Sequence, residues 1–422
     1  MARGLADARA PLRRRPYYGW LIVNTLGVTE LISWGIVYYA FSVFLTPMQR
    51  ELGWSQAEIT GAFSLAMLVA GLAAFPAGRV LDRFGARGLM TAGSLAAALL
   101  VLAWSRVDGL VEFYLIWAGL GATMAAILYE PAFAAVTTWF QRQRQRALTV
   151  LTIYGGLASV VFIPLATALL GRYGWRTALA ILAGLLAAIT IPLHALVLRR
   201  RPQDHGLSVD GLDHAGPAEA QEPVTVEPAI SVGAALRGST LWWLAGAFAL
   251  STGASITINV HLLAYLSSQG YAAAIGATAA GLLGAAQIPS RLLIAMLGRR
   301  VSQRRLLVVL TLVQAAALLL LLAVPTTAGV LGFAALFGAG SGALTPTRAA
   351  LLAEVYGAAN YGSISGVIAL ITTLSRALVP LGASLLVAAA HGYAPLLWAL
   401  VLAALGSAAL VVGSRWSVAG GR

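Results

Sequence analysis

Five charged residues stand inside long apolar runs of this chain: Glu30, Glu130, Arg291, Arg348 and Arg376. A charge near the centre of a lipid bilayer costs at least about 2.5–3.5 kcal/mol, so it persists where it is paired, hydrated or functional. Glu30 lies twelve residues into its run, roughly 18 Å deep at the helical rise of about 1.5 Å per residue. A carboxyl group so placed suits reversible protonation; an ion pair or a hydrogen bond between helices is the alternative. Glu130 is open to the same two readings, a second proton site or an ion pair. Arg376 sits at comparable depth, where its guanidinium could hold a carboxylate through two parallel hydrogen bonds or pair with Glu30. Arg291 lies closer to a cluster of arginines, so it either meets an anion or reaches back to the interface. Arg348 is expected to snorkel or to pair with Glu130 or Glu354. Three arginines against two carboxylates leave an embedded positive excess, which favours an anionic ligand.

Neutral polar residues accompany them. Tyr38 and Tyr39 fall near the far end of the first run, where an aromatic belt is the first reading and a cavity wall the second. Asn259 and His261 lie in the seventh run, the imidazole as a packed or wetted group or as a proton relay.

The elements that must carry these residues follow from composition. The chain has 422 residues, 59% hydrophobic and 10% charged, with mean hydropathy +0.82. A soluble domain carries roughly 25% charged residues, so the solvent of this chain is lipid. A membrane helix needs about 20 apolar residues. Twelve runs qualify, near 18–46, 57–80, 88–104, 111–138, 147–170, 175–198, 239–267, 273–297, 305–325, 328–353, 361–388 and 392–413. The first is too long for a signal peptide and lacks a small-residue cleavage site. Cysteine and lysine are absent, which excludes disulfides and thiolate metal sites. A net charge of +13 would suit nucleic acid, but its arginines sit between the runs, so no nucleic-acid partner is expected.

Those arginines set the topology, because positive loops remain cytoplasmic. The N-terminal arm, the even-numbered loops and the C-terminus carry 21 of them, against four (Arg50, Arg106, Arg172 and Arg176) on the other side. The expected fold is therefore an all-α membrane protein of twelve transmembrane helices in two six-helix bundles, with both termini cytoplasmic. Residues 1–198 form the first bundle, 239–422 the second. Residues 199–238, rich in proline and acid, form a flexible cytoplasmic linker. A faint repeat relates the halves: Gly53-Trp54 with Gly270-Tyr271, Pro131 with Pro346, and Pro164 with Pro380. Such parallel repeats imply a site at the midplane between them.

The loop after the second run reads GRVLDRFGAR, from Gly78 to Arg87. It resembles the G-x-x-x-D-R-x-G-x-R signature of the major facilitator superfamily, whose members are alternating-access transporters. Gly78 and Gly85 allow close backbone approach and a tight turn. Asp82 can pair with arginines, Arg83 and Arg87 among them, or with the N-terminus of a neighbouring span. The resemblance assigns these five residues to conformational gating. At the repeat offset Ala295, Arg299 and Ser302 replace Gly78, Asp82 and Gly85, so the second half is expected to lack the carboxylate latch. YYGWLIV at 17–23, ELGWSQAEITGAFSL at 51–65 and GWR at 174–176 are similar to bacterial relatives of the monocarboxylate and oxalate–formate branch. In that branch an arginine of the eighth span binds the substrate carboxylate, and PSRLL places Arg291 there. LYEPAF departs from the pattern by placing Glu130 where many relatives have a neutral residue.

These readings imply a monomeric secondary transporter of the bacterial inner membrane, proton-coupled and moving a small organic anion such as a monocarboxylate. Substrate would meet Arg291, Arg376, Tyr38, Tyr39 and Asn259, and protons Glu30, Glu130 and His261. Efflux of drugs or other amphipathic compounds is the alternative. No nucleotide-binding loop, metal-ligand cluster or nucleophile–base pair stands in the sequence, so neither an enzyme nor a cofactor is expected.

Overall fold

The computed structural model describes residues 17–214, 230–297 and 301–414. The described chain forms eleven apolar helical runs, α1 (Tyr18–Leu52), α2 (Gln56–Phe84), α3 (Ala86–Trp104), α4 (Leu110–Trp139), the 54-residue run Arg144–Val197, α7 (Ser239–Ser268), α8 (Ala274–Met296), α9 (Gln303–Ala323), α10 (Thr327–Tyr356), α11 (Tyr361–Ala389) and α12 (Ala394–Gly413). The long run is two spans. Gly174 breaks it at φ 74° and ψ 166°, so α5 (144–173) turns back into α6 (175–197). That gives the expected twelve helices.

Local sequence sets where the helices start and stop. Gly53 ends α1 at φ 71°, and its repeat partner Gly270 stands just beyond α7 at φ 79°. Both are left-handed conformations that favour glycine. Ser55 and Glu58 then close a capping box on α2, each side chain bonded to the other's backbone N–H. Pro131 and Pro346 hold matching places. Each is the third residue of the second segment of a broken span, Tyr129–Trp139 in α4 and Leu344–Tyr356 in α10. A proline there needs no backbone donor, so the break has little cost.

The turns after α1, α3 and α5 meet on one face. Arg176 joins Glu51 at 2.8 Å and Asp108 at 2.6 Å, consistent with the side assigned to it by the arginine count. On the opposite, arginine-rich face the described parts of the segment after α6 carry regular structure, while residues 215–229 of the expected linker lie outside the described residues. Residues 203–205 and 209–214 form short turns, and Val232–Arg237 is a helix. Asp210 explains the docking: its carboxylate accepts from the backbone N–H groups of Gln141, Arg142 and Gln143 at 3.0, 2.7 and 3.2 Å.

Helices α1–α6 meet α7–α12 chiefly through α2 against α11, with α8 and α10 against α5. Among the described residues, the hydrogen bonds and the ion pair that join these two sets lie toward the arginine-rich ends. The seam is thus closed on that side.

Candidate functional site: buried charges at the seam between the two helix sets

Several spans that border the seam lose regular helical geometry at depth. α1 passes through a π-helical turn at Trp34–Tyr39. α4 breaks at Leu128, α8 at Ala286 and α10 at Ala343. Such irregular backbone at membrane depth is tolerated where it is buried in protein or lines a cavity, and π-turns recur at functional sites. Here the turn directs an aromatic group inward. Trp34 packs against Tyr38 at 5.1 Å, Tyr39 at 6.4 Å and Tyr129 of α4 at 5.2 Å. Tyr38 also meets Phe63 of α2 at 5.2 Å. Tyr38 and Tyr39 are therefore part of an interior cluster rather than a belt against the headgroups.

Glu30 lies one helical turn before Trp34. It is fully buried, and neither carboxylate oxygen accepts a hydrogen bond. Tyr129, Glu130 and Trp34 are its electrostatic neighbours. It forms no ion pair with Arg376.

The three embedded arginines have different surroundings. Arg348 joins Glu130 at 2.9 Å, linking α10 to α4. Arg291 is bound to protein at each guanidinium nitrogen: Nε donates to the Gly342 carbonyl at 2.9 Å, Nη1 to the Thr152 carbonyl at 2.6 Å and Nη2 to Gln287 Oε1 at 3.2 Å. It points across the seam to α5 beside Gly156, not outward to the interface. Arg376 has no hydrogen bond or ion pair among the described residues. Its side chain is exposed, yet Arg348, Tyr38, Glu130 and Tyr39 are its charged and polar neighbours. The exposure is therefore to the space between the halves, not to lipid.

Asn259 is exposed on α7 and donates to the Ser255 carbonyl at 3.0 Å. His261 lies beside α11 and α12, with Nε2 3.4 Å from the Pro380 carbonyl and from Ser384 Oγ. Its ring meets Tyr393 edge-on at 6.1 Å.

The GRVLDRFGAR motif forms the arginine-rich end of the seam. Asp82 accepts from the Gly362 N–H at 2.8 Å, the Ser363 N–H at 2.8 Å and the Ser363 hydroxyl at 2.6 Å. A carboxylate at a helix N-terminus satisfies orphan donors and the helix dipole together, and this helix, α11, belongs to the other half. Gly78 is tight for the same reason: a Cβ there would overlap the Gly362 carbonyl. Further along, Gly366 lies against Ala74 and Gly71 against Thr373, so small residues line the α2–α11 contact. Gly85 turns the chain at φ 81°. Arg83 covers the Phe84 ring at 5.2 Å, and its carbonyl accepts from Arg200 at 2.8 Å. Arg87 is exposed at the start of α3. In the second half Ser302 caps α9, while Arg299 lies outside the described residues.

Sequence reasoning missed Trp34, Tyr129 and Asp210. The spacing of four between Glu30 and Trp34 was a usable signal, since residues at i and i+4 share a helix face. It also missed His194, buried in α6 with Nδ1 2.9 Å from Ser94 Oγ and 3.2 Å from the Met90 carbonyl of α3.

Comparison with known proteins agrees with this geometry. The family model described as Major Facilitator Superfamily matches residues 31–380. Monocarboxylate transporter 13 of Bos taurus is 26% identical over 344 residues, covering 81% of this chain and 76% of its own. The fujikurins efflux protein of Gibberella fujikuroi is 24% identical over 402 residues, covering 94% and 79%. Among solved structures, FucP in the outward conformation superposes with a TM-score of 0.74 at 14% identity, covering 95% of this chain and 100% of FucP. A bacterial homologue of the iron transporter ferroportin, in an outward-facing state, gives 0.70 at 17% identity, covering 93% and 99%.

Proposed function

The chain belongs to the major facilitator superfamily, and on that premise we propose that it is a proton-coupled secondary transporter of a small organic anion. It works by alternating access between two six-helix halves, 1–198 and 239–422, joined by 199–238. It acts as a monomer in a bacterial cytoplasmic membrane.

The observation that carries the anion is Arg376. Of the three embedded guanidiniums, Arg348 is neutralised by Glu130 and Arg291 is bound to protein acceptors. Arg376 alone keeps its donors for a ligand, deep between the halves and near the hydroxyls of Tyr38 and Tyr39. A carboxylate delivered there would gain a bidentate, charge-assisted contact. Arg291 then serves the substrate through the gate, by tying α8 to α5 while the arginine-rich side is closed. Glu30 supplies the coupling. An ionised carboxylate buried without partners is too costly to persist, so proton uptake and release at Glu30 would be tied to whether water or substrate reaches it. The similarity to monocarboxylate transporters agrees with this reading. Outward movement of an amphipathic acid is the second reading, favoured by the aromatic wall of Trp34, Tyr38, Tyr39 and Phe63 and by likeness to an efflux protein over 94% of the chain.

The test is flux into liposomes that hold the purified protein and a pH-sensitive dye. Lactate, pyruvate, oxalate and formate are offered outside, each with the wild type and Arg376→Ala. Carboxylate-dependent acidification that Arg376→Ala abolishes is the expected result. Silence with every carboxylate, from protein that unfolds normally on heating, would count against the reading.

A further inference from the structure

Glu30, Ser33 and Trp34, on one face of α1, carry polar atoms that are buried and unpartnered among the described residues: both carboxylate oxygens, Oγ and the indole Nε1. Buried polar groups in folded proteins are nearly all hydrogen-bonded, so a cluster of exceptions calls for a physical reason. Glu30 and Trp34 stand one turn apart, and that turn is regular, because the Trp34 backbone N–H donates to the Glu30 carbonyl. Residues at i and i+4 on such a turn are neighbours, with Cβ atoms about 5–6 Å apart. The indole N–H therefore lies beside the Glu30 carboxyl without meeting it at hydrogen-bond geometry. An indole N–H only donates, and a carboxyl group accepts most strongly when it is ionised.

Trp34 is also where α1 changes its winding. The π-helical turn begins there and runs to Tyr39, and such turns recur at functional sites. The ring lies against Tyr38 and Tyr39, which are neighbours of Arg376. The indole thus stands between the carboxyl of the proposed proton site and the guanidinium of the proposed anion site. The other titratable or charged groups around this turn come from four helices. α4 brings Tyr129 and Glu130, the latter paired with Arg348. α5 brings Tyr154, whose ring packs on Gly27 and whose hydroxyl donates to Asn24. α8 and α11 bring Arg291 and Arg376, which act on Tyr39. Among the described residues none of these gives Glu30 a hydrogen bond.

We propose that Trp34 is the positioning residue of proton coupling: its indole N–H turns to the Glu30 carboxylate when the proton leaves and releases it when the proton returns. The inference deepens the proton-coupling reading of Glu30 and rests on it. A donor that meets only the ionised form stabilises that form. It thereby lets Glu30 lose its proton where a bare carboxylate would be too costly. The indole keeps its own hydrogen throughout, and the carboxyl proton passes to water or to a substrate carboxylate.

The infrared carbonyl stretch of a protonated carboxyl group reads Glu30 in purified protein held in neutral detergent, without substrate. The band that Glu30→Gln removes is followed as pH rises in the wild type, in Trp34→Phe and in protein carrying benzothienylalanine at position 34. That analogue keeps the shape of the indole and replaces its N–H with sulfur, so it separates the hydrogen bond from the packing and still reports if Trp34→Phe does not fold. Losing a hydrogen bond to a charged group should make the band persist to higher pH, its midpoint raised by about one to two pH units in both proteins. Ser33→Ala and Tyr129→Phe remove the nearby hydroxyls and should move it less. A midpoint unmoved by the analogue, or moved as far by either hydroxyl variant, would overturn the assignment to Trp34 while leaving Glu30 as a proton site. Absence of any titrating band that Glu30→Gln removes would overturn the coupling reading and this assignment together.

Discussion

In the proposed mechanism Arg376 binds the anion and Glu30 carries the proton, and single substitutions separate the two roles. Losing a hydrogen-bonded charge contact costs about 1.5–3 kcal/mol, which converts to roughly a 10- to 150-fold fall in apparent affinity. Arg376→Gln should therefore raise the half-saturating carboxylate concentration by that factor, read from initial rates of uptake. Glu30→Gln should act on coupling instead. A permanently neutral isostere cannot release a proton, so net acidification should vanish while exchange of labelled for unlabelled carboxylate continues. Loss of both activities would mean that Glu30 serves the fold. The sequence marked both residues by depth alone, because charge in an apolar run is conspicuous whatever surrounds it. It set Arg348 apart as a residue that snorkels or pairs, but could not separate Arg376 from Arg291, whose difference lies in a partner 139 residues away, Thr152.

The informative elements are α2 and α11. Gly71, Ala74 and Gly78 on one helix and Gly362 and Gly366 on the other let two backbones meet at the closed end of the seam. Gly366→Val places a branched side chain against the Ala74 carbonyl, where only backbone could yield. Overpacking of this kind costs about 1–3 kcal/mol, and the cost falls only on the closed state. The variant should expose the arginine-rich side of α2, seen as faster labelling of an otherwise protected cysteine at Ala74, with little change in the far half of either helix. Equal labelling of Ala74→Cys with and without the valine would show that the contact does not gate. The glycines of the GRVLDRFGAR motif were legible as a signature, and the helix count, the arginine bias and the paired prolines were legible as periodicity. Gly362 and Gly366 were not, since small residues abound in this chain and nothing local marks which ones face a partner. The docking of Asp210 was hidden for a related reason. Proline and acid between two apolar blocks read as a loose connection, and only the fold brings the backbone N–H groups of 141–143 within its reach.

At the scale of the molecule the seam is held by unlike contacts. The Asp82 carboxylate caps a helix of the opposite half, Glu130 joins Arg348, and Arg291 reaches Thr152. Repeat symmetry would supply a second carboxylate latch from the loop after α8. The sequence has arginine there instead, so in the proposed cycle Asp82 carries that function for both halves. Asp82→Asn keeps the shape and one acceptor but removes the charge that α11 and the Ser363 hydroxyl meet. With about 1.5–3 kcal/mol lost from one state, the ratio of open to closed forms on this side should rise roughly 10- to 150-fold. Spin labels on the arginine-rich ends of α2 and α11 would read this as a longer distance population. Breaking the Glu130–Arg348 pair singly leaves a poorly compensated charge and should destabilise the fold as well. The reciprocal exchange, Glu130→Arg with Arg348→Glu, should restore thermal stability and the closed population together. If Asp82→Asn leaves the distances unchanged while the singly broken pair lengthens them, the ion pair of the broken helices α4 and α10, and not the signature motif, sets which side of the molecule is open.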